Sequence, residues 1–87
     1  MTVWEVLYIM NDWDNDDDRG ILLDFENNLY MTKEKARVEF DEWKAKIDPD
    51  SYEEGDYEQK VVRENYILVE ERHRAQMLML SEKDVEE

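Results

Sequence analysis

The densest group of residues able to do chemistry is a run of aspartates near the N-terminus, where five Asp fall within seven residues. Carboxylates at alternate positions are what a calcium loop uses, together with glycine at its sixth position and glutamate at its twelfth. Counted from Asp14, those two positions hold Arg19 and Phe25, and counting from Asp12 also fails to reach a glutamate. We therefore predict no dedicated metal site and interpret the run as an acidic turn, with weak, non-specific divalent binding as the alternative.

Residues for covalent catalysis are scarce. The chain has no cysteine and one histidine, His73, which lies between Arg72 and Arg74. Its few serine and threonine hydroxyls belong to no recognisable nucleophile signature, and two glycines are too few for a phosphate-binding loop. We predict that the protein is not an enzyme, that it needs no cofactor, and that His73 is a solvated surface residue in a turn.

The charge of the chain is its outstanding property. Its 87 residues carry 25 acidic and 11 basic side chains, a net charge of -14. Residues 1–31 hold eight acids and one base, residues 32–47 four acids and five bases, and residues 48–87 thirteen acids and five bases. Two strongly acidic segments therefore flank a nearly balanced one. Such a surface repels nucleic acid and anionic membranes and attracts basic protein surfaces.

The N-terminal segment predicts a β-hairpin. Residues 3–11 are rich in β-branched and aromatic side chains, with Trp4, Val6, Tyr8 and Met10 on one face. Residues 12–20 predict a loop that ends at a glycine, and residues 21–26 resume a strand pattern with Ile21, Leu23 and Phe25 on its apolar face. We expect a hairpin with a long acidic tip.

The clearest element is a helix over residues 33–47. Ala36, Phe40, Trp43 and Ile47 are spaced by three or four positions and form one apolar stripe. Thr32 is a favourable N-cap, and Asp48-Pro49 ends the helix because a residue before proline resists the α conformation. We expect this stripe to pack on the hairpin, against Trp4, Val6, Tyr8, Ile21, Leu23 and Phe25.

The C-terminal part admits two interpretations. Residues 65–71 and 75–82 are strand-like, whereas Val62, Tyr66, Val69, His73, Met77 and Leu80 are also spaced by three or four, as in a helix. We favour the strands, because the β-branched and aromatic residues concentrate there. The result is one α+β domain over residues 1–87, with the order ββαββ and a helix packed on a small antiparallel sheet.

The acidic residues are the predicted binding surface for a basic partner protein. Carboxylates on a loop or sheet can match the phosphate spacing of nucleic acid and engage the Lys/Arg groove of a nuclease or polymerase. No direct nucleic-acid or membrane contact is expected. The predicted partner-binding residues are Asp12, Trp13, Asp14, Asp16, Asp17 and Asp18 on the hairpin tip, and Asp48, Asp50, Glu53, Glu54 and Asp56 on the second loop.

The small size, the lack of cysteine and the acid clusters around an α+β core resemble the phage-encoded inhibitors of host defence, the anti-restriction and anti-CRISPR proteins. This resemblance is compositional and loosely covers the whole chain. It implies nucleic-acid mimicry, with a target such as a guide-RNA-loaded nuclease, and a location in the host cytoplasm. The cysteine-free composition, with no visible signal peptide, independently favours a cytoplasmic setting.

Two other functions fit the same composition. The first is a protein-interaction module or regulatory subunit, in which the charge confers only solubility and an apolar patch near Trp13 or at the sheet edge binds the partner. The second is a small acidic housekeeping protein of a bacterium or phage. The response of partner binding to salt separates the first from mimicry, since screening weakens only charge-driven association.

Overall fold

The computed structural model describes residues 1–12 and 22–86, which form one helix packed on one sheet. The strands are β1 (Thr2–Asp12), β2 (Leu22–Tyr30), β3 (Gln59–Val62), β4 (Tyr66–Glu70) and β5 (Arg74–Asp84); the helix α1 is Lys33–Ile47, followed by a 3-10 turn at Pro49–Ser51. The α+β class predicted from sequence is confirmed.

The sheet has five strands in the order β2-β1-β5-β4-β3, and every neighbouring pair is antiparallel. The β1–β2 hairpin is confirmed, with Trp4 opposite Tyr30 and Ile9 opposite Phe25. The long strands β1 and β5 pair along their whole length and form the centre of the sheet. The two halves of the chain are therefore joined through β1 and β5.

Helix α1 begins and ends at the predicted residues. The Oγ1 atom of Thr32 accepts a hydrogen bond from the Lys35 N–H at 3.3 Å, which satisfies one of the free donors of the first turn. The predicted apolar stripe faces the sheet, with Ala36, Phe40 and Ile47 buried. Trp43 is only partly buried, because its ring lies at the margin of the core.

The core lies between α1 and one face of the sheet, which we call the covered face. Its buried strand residues are Val6, Tyr8, Ile67, Val69, Leu78 and Leu80. The ring of Trp43 stacks on Tyr8 with centroids 4.1 Å apart, and the Lys46 ammonium lies 4.6 Å from the Trp43 ring centroid. The predicted packing of the helix on Trp4, Val6 and Tyr8 is therefore confirmed.

The predicted packing of the helix on Phe25 is wrong. Phe25 pairs with Ile9, so both point to the face opposite α1, and Phe25 is 52% exposed. The residues of β2 on the helix side are Asp24, Glu26, Asn28 and Tyr30, and only Tyr30 packs on the core. Apolar alternation identified the two faces of the strand but not the one that the helix covers. Ile21 lies outside the described residues.

The predicted ββαββ order is also wrong, because a further strand precedes the last two. Strand β3 pairs with β4, with Val61 opposite Leu68, and the order becomes ββαβββ. The predicted strands at 65–71 and 75–82 correspond to β4 and β5, so the helical alternative for this region is wrong. Across the described residues, no helix has the length and apolar character needed to cross a membrane.

Candidate functional site

The second acidic loop begins where α1 ends. Asp48 adopts the left-handed conformation with φ of 51°, and its N–H donates to the Lys44 carbonyl oxygen at 2.8 Å. The Ser51 hydroxyl then donates to the Asp48 carbonyl oxygen at 2.7 Å. These bonds close the helix end and turn the chain sharply, so the following carboxylates leave the helix axis.

A tight turn follows at residues 53–56. The Asp56 N–H donates to the Glu53 carbonyl oxygen at 2.9 Å, and an Asp56 carboxylate oxygen accepts the Glu53 N–H at 3.0 Å. Gly55 lies inside the turn with φ of 102°, a conformation that other residues rarely adopt. Asp56 is thus a structural residue of the loop, while Glu53 and Glu54 keep exposed side chains.

Aromatic packing and hydrogen bonds attach the second acidic loop to the rest of the domain. Tyr52 and Tyr57 pack against the core, and the Lys60 ammonium donates to the carbonyl oxygens of Pro49 and Tyr52 at 3.3 and 3.1 Å. Aromatic packing and this partly buried ammonium hold the backbone, while the carboxylates of the loop are exposed. The exposed acids of the loop are Asp48, Asp50, Glu53, Glu54, Asp56 and Glu58.

Asp12, the first residue of the predicted hairpin tip, lies at the same end of the sheet as the second loop. Asp12, the last residue of β1, lines the same surface depression as Asp56 of the loop and Glu71 of the β4–β5 turn. Asp12 is half-buried, and its carboxylate lies 3.3 Å from the Arg74 guanidinium. The Asp12 carboxylate is therefore not free to bind a partner, because it already forms an ion pair with Arg74.

Two tyrosines at this end, Tyr8 and the partly buried Tyr52, have raised pKa values, mainly because of burial. Burial raises the pKa of Tyr8 above its usual 10.0, and the Asp24 carboxylate raises it further. Burial also raises the pKa of Tyr52, with Glu71 adding to the effect. The Oε1 atom of Gln76 accepts a hydrogen bond from the Tyr8 hydroxyl at 2.9 Å.

We call the surface formed by these acids the acidic end. Its described members are Asp12, Asp48, Asp50, Glu53, Glu54, Asp56, Glu58 and Glu71. Glu58 and Glu71 were missed from sequence, although the first continues the base-free run of residues 48–58. The predicted residues Trp13, Asp14, Asp16, Asp17 and Asp18 lie outside the described residues, in the connection that leaves β1 at Asp12.

The acidic end offers charge rather than catalytic groups. In the described part of the chain, no three Asp, Glu or His side chains come together as metal ligands do. His73 lines the depression beside Arg72 and Arg74, and its Nδ1 atom is buried without a hydrogen-bond partner among the described residues. His73 lies in the predicted turn, but its side chain is half-buried rather than freely solvated.

A second surface was not predicted from sequence. The face of the sheet opposite α1, which we call the open face, carries mostly apolar side chains. They are Val3, Leu7, Ile9, Phe25, Leu29, Val61, Tyr66, Leu68, Ala75, Met77 and Met79. Phe25 and Leu29 are 52% and 58% exposed, and Ile9, Leu68 and Met77 line a shallow depression. This exposed apolar surface lies on a face of the sheet, whereas the sequence-based alternative placed an apolar patch near Trp13, which is outside the described residues, or at the sheet edge.

Comparison with known proteins gives no relative to guide the assignment. No family model matches the chain, and neither a curated protein nor a solved structure is significantly similar to it. The function must be inferred from the two surfaces.

Proposed function

We propose that this protein is a non-enzymatic acidic inhibitor that occupies the basic, nucleic-acid-binding surface of a partner protein through its acidic end. The observation that carries the proposal is the set of six exposed carboxylates on the loop of residues 48–58, beside a depression whose charged residues are Asp12, Asp56, Glu71, Arg72 and Arg74. Asp12 and the loop, which are far apart in sequence, thereby contribute to one end of the sheet, and in the sequence an Asp-rich run continues from Asp12.

Carboxylates on a rigidly held loop are suited to binding a basic protein surface. A carboxylate surface held by packed tyrosines and by Lys60 loses little conformational entropy when a partner binds. The field of a chain with net charge -14 speeds the encounter with a basic groove and repels nucleic acid itself. Anti-restriction and anti-CRISPR proteins, which the composition resembles, provide the class of target: a nuclease that holds DNA in a Lys/Arg channel.

The test is a competition assay with purified basic proteins. Each protein, an RNA-guided nuclease first among them, is loaded with fluorescent duplex DNA, and the chain is titrated in at low and at high salt. We expect displacement of the DNA in low salt and a loss of about tenfold or more in apparent affinity in high salt. Displacement from no member of the panel would contradict the proposal.

Two variants of equal charge locate the surface. Asp50→Asn with Glu53→Gln and Glu54→Gln removes three acids from the acidic end, none of whose carboxylates accepts a hydrogen bond within the described residues. The control, Glu64→Gln with Glu82→Gln and Glu86→Gln, removes three exposed acids elsewhere. We expect the first variant to associate about tenfold more slowly and the control to change little. Equal losses would show that net charge alone matters.

A further variant measures the contribution of the Asp-rich run. Asp14, Asp16, Asp17 and Asp18 are replaced together by Asn. We expect weaker competition and a shallower salt dependence, because fewer counterions are exchanged on binding. Unchanged competition by both this variant and the loop variant would show that the acidic residues serve solubility only.

A further inference from the structure

The open face is mostly apolar surface that no described element covers, apart from Val3 and Glu5, which are 5% and 6% exposed. The Cα atoms span 45 × 26 × 15 Å, and the shortest dimension accommodates the sheet and α1 but no third layer at the usual spacing of about 10 Å. Monomeric proteins rarely expose contiguous apolar patches of more than a few hundred Å². The open face therefore has the character of an interface.

The charged group buried within the open face is already paired, whereas the Ser81 hydroxyl beside it is buried with no hydrogen-bond partner among the described residues. The Glu5 carboxylate is buried, accepts a hydrogen bond from the Asn27 amide, and lies 3.0 Å from the Lys83 ammonium. If a second protein layer covered the Glu5 carboxylate, its charge would still be paired with Lys83. The strand residues of this face that carry charge are Glu5, Glu70 and Lys83, a net of one negative charge. The face is nearly neutral on a strongly acidic chain.

The size of the open face fits a dimer. Five strands at about 4.8 Å spacing are about 24 Å wide, and their mean length of about eight residues at about 3.3 Å each is about 26 Å. One face therefore presents about 600 Å², and two faces in contact cover about 1,200 Å². This is near the lower limit of specific interfaces, at about 1,200 Å².

We propose that the occupant of the open face is a second copy of this chain. A flat, nearly neutral, apolar sheet face matches an identical face, and two such sheets pack with their strands at about 30° in a closed, two-fold arrangement. A basic partner is drawn to the acidic end instead, where the carboxylates lie. In the dimer the two open faces form a dry central layer, and the two helices and both acidic ends stay outside.

The dimer has a distinctive dependence on salt. Two copies of net charge -14 repel each other, but their charged groups lie mainly off the open face, so the repulsion acts over distances near the Debye length of about 10 Å at 0.1 M. Salt screens the repulsion and leaves the apolar contact intact. Self-association should therefore strengthen with salt, whereas binding of a basic partner through the acidic end weakens with it. The two proposals can fail independently of each other.

The test is sedimentation equilibrium of the full chain from about 1 µM to about 1 mM, the range of weak specific association. We expect a reversible change from 10.7 kDa to twice that mass, with a dissociation constant about tenfold lower at about 0.5 M than at about 0.05 M salt. A chain that stays monomeric throughout in high salt overturns the proposal, as does association without a limiting mass.

Matched variants place the contact. Phe25→Lys with Leu29→Lys changes two side chains of the open face that are more than half exposed, so the fold should tolerate it. Val38→Lys with Val62→Lys adds the same charge at two exposed residues, 60% and 38% exposed, one on α1 and one on the covered side of β3 opposite Ile67. We expect the first pair to raise the dissociation constant about tenfold or more, although it reduces the repulsion, and the control pair to lower it slightly.

Met77→Lys provides a second probe at the centre of the face. Its thermal unfolding, followed by circular dichroism, establishes that the variant is folded before its mass is measured. A folded Met77→Lys variant and a Phe25/Leu29 variant that both dimerise like the wild type would overturn the assignment of the contact to the open face.

Discussion

The two faces of the sheet are built from the same strands and similar residues but have different environments. On the covered face, Ile67, Val69 and Leu78 have no exposed surface, because α1 and its aromatic residues lie over them. On the open face, alternate residues of those strands, such as Leu68 and Met77, remain partly exposed. A central strand with apolar side chains on both faces needs a packing partner on each face. Helix α1 packs on only one of the two faces.

The largest expected effect compares the two phenylalanines of the chain, one on each side of the sheet. Phe40 of α1 is 1% exposed, so Phe40→Ala should lower the free energy of unfolding by about 3–5 kcal/mol. Phe25 on the open face is 52% exposed, and Phe25→Ala should cost less than about 1 kcal/mol. Urea unfolding of both variants at a low protein concentration makes the comparison. Similar costs would show that a cover protects the open face in the monomer.

The next effect concerns the one buried charge of the open face. Glu5→Ala leaves the Asn27 amide and the Lys83 ammonium without their acceptor, and should cost about 1–3 kcal/mol. The Lys83 side chain is 52% exposed, so Lys83→Ala should cost less than about 1 kcal/mol. Denaturant unfolding of the single and double variants separates the terms. A Lys83→Ala cost as large as that of Glu5→Ala would mean that the ion pair, rather than the buried acceptor, stabilises the face.

A smaller effect tests how α1 holds the edge strand β2. The hydrogen bond from the Tyr30 hydroxyl to Glu39 raises the pKa of Tyr30 to about 12, against about 10 in the unfolded chain. The native state therefore holds this proton more tightly, so its stabilising contribution is complete below pH 10 and is lost as pH rises toward 12. Stability should fall over this range, less steeply in Tyr30→Phe. Identical slopes in urea unfolding series would exclude a contribution from this bond.

The smallest effect on stability is expected at the acidic end. Asp50→Asn with Glu53→Gln and Glu54→Gln should change the free energy of unfolding by less than about 0.5 kcal/mol, because these side chains are exposed. A small gain is the favoured sign, since like charges in one loop oppose compaction. Asp56→Asn serves as the contrast, because the Asp56 carboxylate accepts the Glu53 N–H. A large loss in the triple variant would show that its carboxylates support the loop structure.

Local signals in the sequence predicted the elements better than their arrangement. The stripe of Ala36, Phe40 and Ile47, with the Thr32 cap, identified α1 to the residue, because helix ends depend on neighbouring side chains. Strand β2 continues to Tyr30 through Asn27 and Asn28, which are poor strand residues. Their amides bond Glu5 and Glu39, contacts that only the folded chain provides.

In the candidate site, too, the sequence predicted local features but not long-range contacts. Residues 48–58 were recognised as an acidic segment from composition alone, and the structure adds that Asp56 supports the turn while Glu53 and Glu54 point outward. The pairing of Asp12 with Arg74 could not be predicted, since it depends on the register of β1 against β5. Which face of the sheet α1 leaves uncovered also depends on long-range contacts between strands and helix.

The edge strands have a consequence for how this protein avoids forming fibres. Unpaired strand edges are templates for open-ended polymerisation, and charge or shortness is the usual protection. The long edge strand β2 carries two acids, the exposed Glu26 and the half-buried Asp24. Two such edges therefore repel each other. The other edge strand, β3, is only four residues long and offers few free backbone groups. Growth from edge to edge is therefore disfavoured on both sides, and an apolar face can persist on a chain that does not polymerise.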